Sequence, residues 1–419
     1  MQNGLKFCMI TTFYPPYSFG GDAVYIYRLA NELARLGNQV DVIHCKDSYR
    51  LFQSAPPTVE YPNHSNVSVY GLQSPAGFLS PLLTQQTGAP FFKGKKIKGM
   101  IEKNQYDVIH FHNMSLIGIS ALRYGNAIKI YTMHEHWLVC PMHVLWKFNR
   151  EVCTTRSCIA CQLIGKRPPQ LWRYTGLFDR MLPHVDMFIS PSRFTLQKHL
   201  ELGRKLPIVH IPYFLPKTEP QSAEAVSQSA VTGESYFLFV GRLEKIKGLQ
   251  NIIPLFKKLP QYNLLVAGDG EYESVLRGMA SDAPNIRFLG KLSHDRLREL
   301  YRNAIAVIVP SICYEVFGII IIEAFSVGTP VIVNNLGALP EVVDDSGGGF
   351  VYNDEAELIA AMKKLAEDHE LRDRLGESGY QAYLKYWDEG SHMKKYFGLI
   401  EELQTKSMNR SEWNPKSPS

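Results

Sequence analysis

Residues 317–325 read Phe317-Gly318-Ile319-Ile320-Ile321-Ile322-Glu323-Ala324-Phe325, and a second glutamate, Glu315, stands eight positions before Glu323. Four consecutive isoleucines leave a helix here no polar side, so burial on nearly all faces is expected. A carboxylate in such a place is costly unless something hydrogen-bonds it. Either Glu323 belongs to a structural ion pair, or it holds part of a ligand. Just upstream, 306–310 is apolar and β-branched and runs into Ser311. A strand feeding a glycine-opened helix is the unit of a parallel α/β sheet.

The same alternation extends in both directions. The second half predicts strands at 236–240, 263–267, 286–289, 306–310, 330–333 and 349–352, with helices near 248–258, 271–280, 294–303, 317–327 and 355–368. The first half predicts strands at 5–11, 39–45, 67–72, 107–112, 129–133, 186–190 and 208–212. Asp22 reads as the cap of a helix running to Leu36 and stopped by Gly37. Residues 216–235, rich in Pro, Ser, Ala, Gln and Glu, read as a linker. The fold class is therefore α/β, with two doubly wound, Rossmann-like domains, 1–215 and 236–388, facing a central cleft. A last helical pattern, 391–404, precedes a polar tail, 406–419, expected to be disordered.

With 419 residues, 45% hydrophobic and 20% charged, the chain is globular and long enough for two domains. No apolar run reaches the roughly 18 residues of a spanning helix. The N-terminal apolar run, Phe7 to Ile10, is too short for a signal peptide, so the cytoplasm is the expected compartment. Net charge is +5 but lopsided: residues 1–215 hold 23 Lys and Arg against 12 Asp and Glu, the remainder 22 against 28. The excess includes Lys93, Lys95, Lys96, Lys98 and Lys103, and Lys147, Arg150, Arg156, Lys166, Arg167 and Arg173. A solvated face is one reading. Attraction to anionic lipid at the inner face of the membrane, or to an anionic acceptor, is another. Nucleic acid is not expected, because no recognition motif accompanies the charge.

Chemistry concentrates in the second half. Val240-Gly241-Arg242-Leu243 ends a strand and Lys247-Gly248 opens the next helix, which projects both cations from the carboxyl edge of the sheet. The helix start at Gly318 and Ile319 adds free backbone N–H groups. Arg242, Lys247 and that terminus would suit a diphosphate without a metal. Two cations can neutralise a leaving diphosphate as Mg²⁺ would. Asp344-Asp345, beside glycines, reads as a loop and not as a metal dyad. Glu323 could then accept ribose hydroxyls, while Glu315 would lie on the other side of the phosphates.

Six short motifs stand in order: Gly241-Arg242-Leu243 with Lys247-Gly248; Gly268-Asp269-Gly270-Glu271; Phe288-Leu289-Gly290; Pro310-Ser311; Glu315 with Glu323; and Ala324, Gly328 and Pro330-Val331-Ile332. Together with Phe13-Tyr14-Pro15-Pro16, Gly20-Gly21 and Thr132-Met133-His134-Glu135, they resemble the retaining nucleotide-sugar glycosyltransferases of the GT-B fold. The resemblance is to family 4 (glycosyl transferases group 1) and covers roughly 5–400. It implies that Arg242 and Lys247 bind the donor diphosphate with the amides of Gly318 and Ile319. It also implies that Glu323 holds the ribose, and that Glu315 contacts sugar hydroxyls and stabilises charge at the anomeric carbon. Gly21 would approach the phosphates, His134 would lie beside the transferred sugar, and Leu292 would meet the base. Retention, with the leaving phosphate as base on the same face, is implied too. The first domain would then bind the acceptor and the second the donor, with 389–405 crossing back onto the first domain. No cofactor is required for catalysis on this reading. His134 could instead be a satisfied strand-end histidine, and Gly20-Gly21 a turn. His110 and His112 read as core or cleft-lining. One departure is Ile211-Pro212-Tyr213-Phe214, where relatives usually show Pro-Asn-Gly, which bears on the hinge more than on the chemistry.

Seven cysteines remain. Cys8, Cys45 and Cys313 lie in or beside strands and read as small buried hydrophobes. The other four, Cys140, Cys153, Cys158 and Cys161, fall in a basic, polar insertion at 140–161. Their spacing points to tetrathiolate zinc as a structural staple, or less readily an iron–sulfur centre. Unliganded thiols and disulfides are the alternatives. The expected activity is transfer of a sugar from a nucleotide-diphosphate donor to a carbohydrate or lipid-linked acceptor, in polysaccharide or lipid-linked glycan synthesis. Rival readings are a sugar-nucleotide epimerase of similar fold, a non-catalytic nucleotide-sugar sensor and a membrane-surface scaffold.

Overall fold

The computed structural model describes residues 4–53, 55–57, 59–217 and 235–412. Strands β1 (Lys6–Ile10), β2 (Gln39–Cys45), β3 (Val67–Leu72), β4 (Val108–Phe111) and β5 (Ile128–Thr132) lead the first half. A short ribbon follows, β6 (Trp146–Lys147) with β7 (Glu151–Val152), then β8 (Met187–Ser190) and β9 (Ile208–His210). Seven of these form one parallel sheet in the order β3-β2-β1-β4-β5-β8-β9. The second half supplies β10 (Tyr236–Val240), β11 (Asn263–Ala267), β12 (Ile286–Gly290), β13 (Ala306–Val309), β14 (Val331–Asn334) and β15 (Gly349–Tyr352). These form another parallel sheet, ordered β12-β11-β10-β13-β14-β15. Each order reverses once, between β1 and β4 and between β10 and β13. Loops from the carboxyl ends of those strands diverge there, which is where α/β sheets bind ligands.

Every expected strand is present, with ends within two residues of the expectation. The reason is burial on both faces: β4 and β13 have no exposed residue, so each reads as an unbroken apolar run. Helices were less visible. Asp22 is not a cap; the helix Gly20–Arg35 starts two residues earlier and carries Asp22 in its first turn. Asp344 and Asp345 are not loop residues but end the helix Leu339–Ser346. Most of the expected linker, 218–234, lies outside the described residues, as does the tail beyond 412. The final helix, Glu389–Glu412, runs well past the expected end at 404, so residues 406–412 are helical and not disordered.

That helix packs against the first sheet. Tyr396 Oη lies 2.9 Å from His110 Nδ1, and its ring packs against Phe7. His392 stacks on Phe214 with centroids 4.5 Å apart, and its Nδ1 lies 2.8 Å from the Pro212 carbonyl. Beside it the chain crosses twice: Leu215 N donates to Trp387 O at 2.9 Å, and Lys217 Nζ pairs with Asp388 at 2.7 Å. Tyr213 and Phe214, standing where a Pro-Asn-Gly turn was expected from the resemblance, are both buried here.

Tyr396→Phe leaves His110 Nδ1 buried without a partner, a loss of about 1–3 kcal/mol. The melting temperature is expected to fall by several degrees. An unchanged value in thermal denaturation would show that docking of the last helix does not depend on this bond.

Candidate functional site

After β10 the chain passes through Gly241 and Arg242 into a short 3-10 turn, Lys245–Lys247, and then Gly248 at φ +77°. A side chain at Gly248 would come within 1.9 Å of the Pro310 carbonyl, so only glycine lets this loop rest on the end of β13. Ile312 N donates to Ile246 O at 2.9 Å and ties the two loops together. Sequence distance is thereby cancelled: Lys247 Nζ meets Glu315 Oε1 at 2.6 Å, and Ser311 Oγ donates to the same oxygen at 2.7 Å.

Burial alone would push the Glu315 carboxyl up. Lys247, Ser311 and Arg242 outweigh it and hold the group below its usual range. For Lys247, burial likewise disfavours charge, and the Glu315 carboxylate overrides it, so the ammonium sits above its usual range. Both groups are therefore ionised at neutral pH. Glu315, expected on the other side of the phosphates from the cations, touches Lys247 directly in this structure. Arg242 is half exposed and turned toward Glu244, 2.6 Å away, yet near enough to influence both Lys247 and Glu315.

Gly318, at φ +120°, opens the helix Ile319–Phe325, shorter at both ends than the expected 317–327. Tyr301 Oη donates to Glu323 Oε2 at 2.9 Å, and Arg28 of the first half approaches Glu323 Oε1 at 3.8 Å. Neither partner was visible in the sequence. Across the cleft, a side chain at Gly21 would meet Ile319 Cδ1 at 3.4 Å. The helix that starts at Gly20 thus runs beside the glutamate helix, Gly21 opposite Ile319 and Arg28 opposite Glu323.

The first half contributes acids that sequence reasoning left unassigned. Asp22 has its carboxyl pushed up from 3.8 to about 6, by burial first and the nearby Glu135 second; Asn113 and Arg242 pull the other way. Glu135 Oε2 lies 2.6 Å from His143 Nδ1. His134 stands two residues past β5. It is buried, its Nδ1 lies 2.6 Å from Tyr213 Oη and its Nε2 lies 2.9 Å from His112 Nδ1. Burial lowers its pKa to about 3, so the ring is neutral with both nitrogens engaged. Leu292 lies beyond the carboxyl end of the edge strand β12, half-buried against the core that links the halves. Cys140, Cys153, Cys158 and Cys161 converge on one small cavity.

Residues 221–382 match the family described as Glycosyl transferases group 1, and residues 19–215 match Glycosyltransferase Family 4. An uncharacterized glycosyltransferase of Methanocaldococcus jannaschii is 27% identical, over 92% of this chain and 95% of its own. The phosphatidyl-myo-inositol mannosyltransferase of Mycolicibacterium smegmatis is 26% identical, over 85% of this chain and 84% of its own. Sucrose-phosphate synthase from Thermosynechococcus elongatus shares the fold at TM-score 0.75 and 20% identity, covering 96% of this chain and 100% of that one. Anabaena HepE, solved with UDP and glucose, does so at TM-score 0.68 and 17% identity, covering 95% and 100%.

Asp22 gives a pH dependence with a definite sign. The folded protein keeps this proton to about pH 6, whereas the unfolded chain releases it near 3.8. Its contribution to stability therefore falls as pH rises through that window. Asp22→Asn is expected to flatten that slope and raise the melting temperature at pH 7; a lower value at pH 7 would remove this account of the site.

Proposed function

Because the chain belongs to the group 1, family 4 glycosyltransferases and has the GT-B architecture, we propose that it transfers a sugar from a nucleotide-diphosphate donor with retention of anomeric configuration. The observation that carries this reading is the Lys247–Glu315–Ser311 cluster at the switch point of the second sheet, followed by the helix whose first residue, Ile319, lies against Gly21. A diphosphate arriving there competes with Glu315 for Lys247 and with Glu244 for Arg242. Phosphate bears more charge than a carboxylate, so both cations turn to it. Glu315, released but still held by Ser311, then faces the sugar and can accept its hydroxyls. Positive charge developing at the anomeric carbon finds the same carboxylate. Glu323, steadied by Tyr301 and Arg28, takes the ribose, and Leu292 abuts the base. The amides of Gly318 and Ile319, with the close approach at Gly21, complete the phosphate cradle. Departure of the diphosphate is eased by Lys247 and Arg242, and its oxygen is the base for the acceptor hydroxyl on the same face. His134 acts as a positioning residue, fixing Tyr213 and His112.

We read the acceptor as lipid-linked, used in surface-glycan synthesis at an anionic membrane. Phe78, Leu79, Phe91 and Phe92 are exposed beside the exposed Lys95, Lys96 and Lys98. Leu171 and Tyr174 are exposed near Lys166 and Arg167, and Trp172 Nε1 donates to Gln85 O at 2.9 Å, joining the two stretches. Apolar side chains fringed by cations suit an anionic bilayer surface. Two members of the expected basic face are excepted: Lys93 is buried, 3.4 Å from Asp47, and Arg173 lays its guanidinium over Trp137, Trp172 and Phe178.

Calorimetry with UDP and GDP tests the donor site. Lys247→Ala and Glu323→Gln are expected to weaken the preferred nucleotide by about tenfold or more, the equivalent of one charge-assisted bond. Unchanged affinity in both variants would remove the site. An inverted anomeric signal in the NMR spectrum of the product would remove retention alone.

A further inference from the structure

The insertion between β5 and β8 has a construction that glycosyl transfer does not explain. The ribbon β6–β7 and the helix Cys158–Ile164 bring Cys140, Cys153, Cys158 and Cys161 around one cavity of about 20 Å³, shared with Pro141, Met142, Trp146, Lys147 and Ser157. That volume holds one small sphere. All four thiols are free.

Three further observations converge. First, a backbone N–H is aimed at sulfur: Phe148 N donates to Cys161 Sγ at 3.5 Å. A neutral thiol is a weak acceptor, whereas a metal-bound thiolate needs such donors. Second, five of the six non-glycine residues with positive φ among those described lie here: His143, Leu145, Phe148, Asn149 and Lys166. Such conformations persist when something over-determines them. Apolar burial alone gives little help, because the local core is Val139, Cys140 and Leu145 with a few half-buried neighbours. Third, the insertion is basic, and Arg173 lies within electrostatic reach of Cys140 and Cys158. Four thiolates around a divalent ion leave a net charge of about −2 that these cations would offset.

We propose that Cys140, Cys153, Cys158 and Cys161 bind one zinc ion as a closed tetrathiolate site. Among the described residues no three His, Cys, Asp or Glu side chains are already drawn into a metal-holding group. The thiols therefore close on the ion by side-chain rotation as it binds, releasing their protons. With four protein ligands no position remains for substrate, so the role is structural. The staple braces the wall that meets the donor loops: Tyr314, beside Glu315, packs on the local core, and Lys245 Nζ reaches Asn149 O at 3.4 Å.

Metal analysis of the full-length protein from unsupplemented cells is expected to give about one zinc per chain. Release by a thiol-blocking mercurial should appear with a zinc indicator dye. Cobalt substitution should give the sulfur-to-cobalt charge-transfer bands of a tetrahedral thiolate site. Cys158→Ser with Cys161→Ser should lose at least about nine-tenths of the metal, while Cys8→Ala keeps it. UDP or GDP affinity should stay within about twofold in the double variant, which separates this proposal from the donor site. Wild-type protein without zinc and with a melting temperature indifferent to chelator would overturn it. So would iron with visible absorption, or zinc retained after mercurial treatment.

Discussion

Glu315 and Lys247 are each partly withdrawn from water, and each holds the other in its charged form. Breaking a fully buried pair costs roughly 3–5 kcal/mol; here, with about a fifth of each side chain exposed, the loss is smaller. That remaining access leaves the pair open to solvent at the cleft. The second half is arranged to keep the two groups in register. Gly248 lowers one loop onto the other, Ile312 and Ile246 bond across, and Ala338 N donates to Glu315 O at 3.2 Å from a third loop. Asn334 Nδ2 donates to the Ser311 carbonyl at 2.9 Å, which fixes the second residue that holds Glu315. Rigid strand ends thus keep the pair in place.

The two halves meet through contacts of two kinds. At the rim they are polar: Glu341 accepts from the N–H groups of Arg193 and Phe194, capping a first-half helix from the second half, and Asp345 pairs with Arg193 at 2.8 Å. Ser192 and Thr195 hydroxyls donate to Val316 O, one residue past Glu315. Such bonds exchange with water at modest cost. At the chain crossing they are apolar and aromatic, with Phe214 on His392 and Tyr213 on Phe317. Separating those surfaces would expose buried rings. That division suits rotation about the crossing near Leu215 and Asp388 better than separation of the halves.

Strands were readable because parallel sheets covered on both faces demand unbroken β-branched runs, as in Ala306–Val309. Lys247, Gly248, Glu315 and Glu323 stood out in the sequence because charged residues beside glycines, or within an apolar helix, are conspicuous. Partners supplied by distant parts of the chain were not. Arg28 lies on the outwardly ordinary helix Gly20–Arg35, and nothing near it in sequence marks Glu323 as its neighbour. Tyr301 reads as a core residue of its helix, and its hydroxyl alone has a polar task. Helices with glycine or charge at both ends, such as Gly94–Asn104, were missed because their apolar stripe is narrow: Ile97 and Ile101 are its only buried large residues.

His134 shows how a residue just past a strand end can be enclosed by a distant part of the chain. A histidine after a strand could face solvent, but β4 and β5 end beneath Tyr213, so its ring is enclosed. Neutral imidazole has one donor and one acceptor. If Tyr213 donates to His134, then His134 donates to His112; if the order reverses, every bond reverses with it. In both cases the chain of bonds ends at His112 Nε2, which has no protein partner among the described residues. A second proton has no acceptor here, and burial holds His110 and His112 well below their usual range. The column from Tyr396 through His110 to Thr132 behaves likewise. These rings therefore act as fixed, neutral struts joining the first sheet to the hinge and the last helix. At the cleft, by contrast, the polar contacts are ionic, Lys247 with Glu315 and Arg28 with Glu323.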